Sequence, residues 1–118
     1  MARLFVHVAT GPENPTRAAL GLLVARTAVE EGHEVRVFLA GDAVHLARPE
    51  TAEQARGVGT GAVAEHWEAL AAAGVPLCLS GLSSKARGVA PEAAAGVELA
   101  PPARVVELAL WADSTLVY

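Results

Sequence analysis

The chain has 118 residues, of which 53% are hydrophobic, and a formal net charge of -4. This length predicts one domain over residues 1–118 that buries a core without metals or disulfides. One lysine and eight arginines form no basic cluster, so we expect no nucleic-acid partner. No window approaches the roughly 18 apolar residues of a membrane helix, so we expect no membrane partner. The single cysteine, Cys78, excludes an internal disulfide and predicts a cytoplasmic protein.

The first part of the chain predicts a β-α-β unit. Residues 4–9 form a β-branched and aromatic run that is typical of a buried strand. Residues 15–31 have helical spacing, with Asn14 as the cap and Gly32 as the stop, and residues 34–39 return to the strand pattern. Because such crossovers are right-handed, the two strands are expected to be parallel.

Alternating helices and strands continue to the last residue. After a turn at residues 40–42, Asp42 is predicted to cap a short helix, and residues 47–61 are predicted to be a loop with some helix. The overall prediction is an α/β fold, a three-layer α/β/α sandwich with a mainly parallel five-stranded sheet. The later predicted elements are a helix at 62–73, a strand at 75–79, a helix at 80–87, a strand at 97–99, a helix at 101–112 and a strand at 115–118.

The chemically richest segment follows the third predicted strand. Cys78 lies on the strand itself, and hydroxyls and cations crowd the residues after it. Ligands of open α/β sheets bind beyond the carboxyl ends of the strands. We therefore predict a ligand-binding cleft there, and the candidate residues from the three strand-end loops are Thr10, Gly11, Asn14, Asp42, Ser80, Ser83, Ser84, Lys85 and Arg87.

Four segments, taken together, resemble the DsrE/DsrF-like family: residues 9–18, 37–44, 73–76 and 85–88. The resemblance covers nearly the whole chain. It implies a YchN-like α/β sandwich that assembles into homo-oligomers such as trimers or hexamers. It also implies a relationship to sulfur relay, in which a persulfide is carried on a cysteine.

This sequence departs from the family at the sulfur-carrying positions. The resemblance places the acceptor cysteine, and a second cysteine found in many relatives, at Ser80 and Ser83. A hydroxyl cannot hold sulfane sulfur, because persulfide exchange requires a thiolate. Cys78 is the one thiol left as a candidate catalytic residue, although a cysteine between two leucines is typical of a buried apolar position.

Other reactive residue types form no recognisable catalytic or metal pattern. The four histidines, among them His7 in the first strand, stand apart from thiols and carboxylates at zinc spacing, so no metal is expected. Neither a dinucleotide-binding glycine pattern nor a phosphate loop is present, so no cofactor is expected.

Three hypotheses for function follow. The first is a non-relay DsrE/DsrF-like protein that binds a small molecule or anion at the strand-end cleft or serves as a docking subunit. The second is a sulfur-transfer protein that uses Cys78, with Lys85 and Arg87 stabilising the thiolate. The third is a structural oligomer subunit without a ligand.

Overall fold

The protein, described here by a computed structural model of residues 1–90 and 96–118, is an α/β sandwich around a five-stranded parallel sheet. The predicted fold class is confirmed. The strand order is β6-β5-β2-β1-β7, and all four neighbouring pairs are parallel. The strands of this sheet are β1 (Arg3–Val8), β2 (Glu34–Leu39), β5 (Leu77–Ser80), β6 (Val97–Ala100) and β7 (Ser114–Val117).

The helices form where the sequence places caps and breaks. Asn14 caps α1 as predicted, because its Oδ1 accepts a hydrogen bond from the Arg17 N–H at 3.1 Å. Gly32 follows α1 with a φ of +91°, a conformation that glycine adopts at least cost. The helices are α1 (Pro15–Glu30), a 3-10 helix (Gly41–Ala47), α2 (Pro49–Gln54), α3 (Val63–Ala72), α4 (Gly81–Arg87) and α5 (Pro102–Trp111).

One local prediction was wrong, and another missed part of the structure. Asp42 was expected to cap a short helix, but the 3-10 helix begins without a side-chain cap and the Asp42 carboxylate binds Arg87 instead. Residues 47–61 contain more order than a loop with some helix, because α2 is followed by a small antiparallel hairpin of β3 (Arg56–Gly57) and β4 (Gly61–Ala62).

The two faces of the sheet are covered very differently. The larger core lies on the face packed by α1 and α3 and includes Val6, Leu22, Val37 and Leu79. The opposite face carries a small cluster of buried residues: Phe5, Phe38, Cys78, Ala100 and Leu108. The helix that contributes to this second cluster is α5, so one face of the sheet has a thinner cover than the other.

Trp111 fixes the last turn of α5 to the sheet. The guanidinium carbon of Arg36 lies 4.9 Å from the centroid of its ring, and that of Arg3 lies 5.6 Å away. Such cation-π contacts bind a helix end to charged strand residues without a buried ion. Among the helices of the described residues, none has the combination of length and apolar character that a bilayer crossing requires.

Candidate functional site at the carboxyl ends of the strands

The loops that follow β1 and β2 are packed against each other. Gly11 is buried, and a Cβ atom added there would lie 2.5 Å from the carbonyl carbon of Asp42. Only glycine allows the two backbones to approach this closely. The side chain of Glu13 closes the first loop, because its Oε1 accepts a hydrogen bond from the Gly11 N–H at 2.9 Å.

Serine hydroxyls join the loop after β2 to the segment after β5. The Oγ of Ser83 accepts a hydrogen bond from the Gly41 N–H at 2.8 Å. The Oγ of Ser80 caps α4 by accepting from the Ser83 N–H at 3.1 Å. Arg87 donates from Nε to Asp42 Oδ1 at 2.9 Å and completes the connection. The strand-end loops therefore use their polar groups largely on one another.

The structure brings together five of the predicted ligand-binding residues, namely Gly11, Asp42, Ser80, Ser83 and Arg87. The remaining four lie apart from this network or take no side-chain part in it. Asn14 caps α1 and Ser84 is buried within α4. Thr10 is half-buried and Lys85 is exposed, and neither side chain has a hydrogen-bond partner within the part of the chain that the structure describes.

Cys78 lies on the face of the sheet that α5 covers, next to the ion pair of Arg104 and Glu98. Its side chain is 4% exposed, and Arg104 Nη1 lies 3.9 Å from its Sγ. Arg104 is held in place by Glu98, with Nη1 to Oε2 at 3.2 Å and Nη2 to Oε1 at 3.0 Å.

The environment of Cys78 favours the neutral thiol. Burial raises the pKa of the thiol, and the negative charge of Glu98 raises it further. The nearby guanidinium of Arg104 acts in the opposite direction without reversing the shift. Nucleophilic cysteines have the reverse combination, a lowered pKa and partial exposure.

An apolar cleft of about 320 Å³ opens beside the polar network. It lies where β5 and β6 end and where α4 and α5 begin. Among the described residues, the lining consists of Gly81, Leu82, Leu99, Ala100, Pro101 and Pro102, and none of these has a charged or hydroxyl side chain. Chemically, this cleft suits an apolar group.

Sequence reasoning missed two parts of this region. The first is the Arg104 and Glu98 pair above Cys78, which joins residues of different elements and leaves no local signal. The second is the apolar outer surface of α5, where Val106 is 60% and Leu110 is 83% exposed. Its signal was available, because the ten residues of α5 contain only two charged side chains, Arg104 and Glu107.

Sequence and structure comparisons agree on the class of protein. The chain belongs to the DsrE/DsrF-like family, whose profile it matches over residues 2–118. The crystal structure of the YchN protein from E. coli is similar over 100% of both chains, with a TM-score of 0.80 and 25% sequence identity. A comparison with curated protein sequences gave no match. Family membership and the YchN-like fold, predicted from four sequence segments, are thus confirmed.

Proposed function

We propose that this DsrE/DsrF-like protein does not relay sulfur and serves as a docking subunit, with the strand-end cleft receiving an apolar group of a partner. The observation that carries this proposal is the state of Ser80. It stands where the family resemblance places the acceptor thiol, and its Oγ is engaged in capping α4. An oxygen at this position cannot form a persulfide.

The chemistry of the cleft supports docking over the binding of a polar small molecule or an anion. Small-molecule sites combine an apolar lining with a few polar groups that fix the orientation of the ligand. The described residues of the cleft lining supply no such side chain, and the neighbouring hydroxyls of Ser80 and Ser83 already accept backbone hydrogen bonds. An apolar side chain of a protein partner can bind without polar groups in the lining and without the serine hydroxyls.

Sulfur transfer through Cys78 is the alternative that the Arg104 contact favours, since a guanidinium stabilises a thiolate. Two observations weigh against it. The thiol is buried, and burial together with Glu98 raises its pKa.

A single cysteine without an oxidising partner is consistent with action in the cytoplasm, where we propose the protein works.

Mass spectrometry after incubation with a persulfide donor tests the non-relay proposal. We expect the folded protein to gain no sulfur atom on Cys78, whereas the urea-unfolded protein, in which the thiol is exposed, should react. Cys78→Ala is the matched control for adducts elsewhere. A one-sulfur adduct on the folded protein that disappears in Cys78→Ala would establish the sulfur-transfer alternative.

Thermal unfolding with inorganic phosphate and sulfate tests the anion alternative. A ligand that binds only the folded state raises Tm with its concentration. Because both anions are excluded from protein surfaces and stabilise folded proteins generally, we expect them to raise Tm by the same amount in the parent protein and in Lys85→Ala. A phosphate-dependent increase that is larger in the parent protein than in Lys85→Ala would favour an anion site over docking.

A further inference from the structure

The apolar cleft at the start of α4 and α5 has room for one large side chain. Its volume of about 320 Å³ lies at the low end of the range for small-molecule sites. Its walls are open to solvent within the described residues, since Leu82 is 66% and Leu99 is 39% exposed. Pro101 and Pro102 are also exposed, and their rings restrict the backbone of the facing wall. The cleft is therefore accessible and has a stiff wall.

Lys85 lies at the border of the cleft. It follows Leu82 by three residues on α4, and side chains at this spacing are neighbours on a helix surface, with Cβ atoms about 5–6 Å apart. Both side chains are exposed. The lysine side chain is a flexible stem that ends in an ammonium group. A group that enters the cleft beside Leu82 is thus within reach of a positive charge.

The positive charge of Lys85 is not balanced by a nearby acid. Arg87 pairs with Asp42 at 2.9 Å, and Arg104 pairs with Glu98 at 3.0 Å, so the other cations of α4 and α5 are neutralised. Lys85 has neither an ion pair nor a hydrogen bond with the described residues, and α4 itself contains no acidic residue. The border of the cleft consequently attracts a negative charge.

We propose that the docking partner is an acidic peptide segment, in which an apolar side chain enters the cleft and a carboxylate two residues away pairs with Lys85. This inference rests on the proposed docking function and names the chemistry of its partner. In an extended peptide, side chains two residues apart point to the same side and are about 6.5 Å apart along the chain. This spacing matches the separation of Leu82 and Lys85 on the surface of α4.

Other partners are less complementary to this surface. A small anion would pair with Lys85 but would leave the apolar cleft empty. A basic peptide would place a second positive charge beside the ammonium group. Anionic membranes are recognised by clusters of about four to eight basic residues, whereas the cleft border has one unpaired cation among the described residues. An acidic peptide uses both the cleft and the charge.

Amide chemical-shift titration of the isotope-labelled protein with a short synthetic peptide tests the partner. The probe carries one leucine and a glutamate two residues later, in a background of glycine and serine, with both termini blocked. We expect shifts confined to α4, the end of β6 and the start of α5. The dissociation constant should be about 1 mM, because one buried leucine and one exposed ion pair stabilise a complex only modestly. Added salt should weaken binding.

A charge exchange tests the role of Lys85. We expect Lys85→Glu to bind the acidic peptide about threefold or more weakly and to prefer a peptide in which lysine replaces the glutamate. Arg56→Glu is the matched control, because it changes the net charge equally at an exposed residue of the hairpin, and it should bind both peptides as the parent does. Equal affinities of the two peptides for the parent protein would overturn the inference but not docking through the cleft.

Leu82→Ala tests the apolar contact. It should weaken binding of the acidic peptide severalfold, because it removes part of a cleft wall, and unchanged binding would overturn the inference. If neither peptide caused shifts at several millimolar, both the inference and the docking proposal would fail. Binding to phosphatidylglycerol vesicles that is lost in Lys85→Glu would then identify a membrane surface as the partner. The persulfide assay would still test the non-relay proposal, because it measures Cys78 and not the cleft.

Discussion

Replacing Gly11 with alanine should destabilise the protein strongly, although the change adds a single methyl group. The backbone of the loop after β1 lies against the carbonyl of Asp42, and the added Cβ would lie 2.5 Å from that carbonyl carbon. Ordinary van der Waals contact begins at 3.4 Å, so one backbone must move by at least about 0.9 Å. The neighbouring atoms are main-chain atoms, which cannot rotate away as a flexible side chain would.

The size of the effect follows from what this shift disturbs. Inserting a methyl group into a well-packed site costs about 1–3 kcal/mol. Moving Asp42 also displaces the adjacent Gly41 N–H from the Ser83 hydroxyl, and a buried hydrogen bond of this kind contributes about 1 kcal/mol. The expected loss of unfolding free energy for Gly11→Ala is therefore about 3 kcal/mol.

Urea denaturation measures this loss, and Gly81→Ala provides the matched control. Gly81 lies at the same edge of the sheet, and a Cβ there would meet its nearest heavy atom, the Ala100 carbonyl oxygen, at 3.7 Å. We expect the control to be neutral or slightly stabilising, because alanine is a better helix residue than glycine. A Gly11→Ala protein within about 0.5 kcal/mol of the parent would refute the close packing of the two loops.

Three further predictions concern the polar and ionisable groups. Ser83→Ala should lower the free energy of unfolding in urea by about 1–2 kcal/mol, because it leaves the Gly41 N–H without its hydrogen-bond acceptor. Ser84→Ala should leave this free energy unchanged or raise it, because the buried Ser84 Oγ has no partner within the described residues. Equal losses in the two variants would contradict this. Asp42→Asn should lower the free energy of unfolding by less than about 1 kcal/mol, because the Asp42–Arg87 ion pair is partly exposed to solvent. Added salt should make this loss smaller. A loss of several kcal/mol would show that the ion pair is not screened by solvent. Burial lowers the pKa of His7 below 6.5. The imidazole therefore binds a proton more readily in the unfolded chain than in the folded protein. As a result, the free energy of unfolding falls as the pH drops through about 6.5 towards the folded-state pKa. His7→Leu should remove that part of the pH dependence in urea titrations near pH 7.5 and pH 5, and an unchanged pH profile would contradict the assignment.

The sheet and its helices were predictable because their signals are local. Short segments rich in apolar and β-branched residues define the strands. Asn14 and Gly32 mark the start and end of α1 within a few residues of the helix itself. These features depend on short-range chemistry, so tertiary contacts did not overrule them.

Several missed features depend on contacts between different elements of the structure. Asp42 binds Arg87, which lies 45 residues away, in preference to the nearby amides that a capping residue would bind. The hairpin of β3 and β4 has two-residue strands, and Thr16 of α1 holds it through the Val58 N–H and the Thr60 hydroxyl. The apolar outer side of α5 is the exception, because its signal, two charged side chains among ten residues, lies within the helix itself.

The pairing of β1 with β7 has a consequence for how the chain acquires its structure. Leu4 lies beside Ser114, so the contact closes a loop of about 110 residues. Contacts between such distant residues form late, because the entropy of the intervening chain opposes them. A sheet of β6, β5, β2 and β1 that forms before this pairing has β1 as an edge strand without a neighbour on one side. Until β7 pairs with it, the free N–H and C=O groups of β1 are open to pairing with another chain.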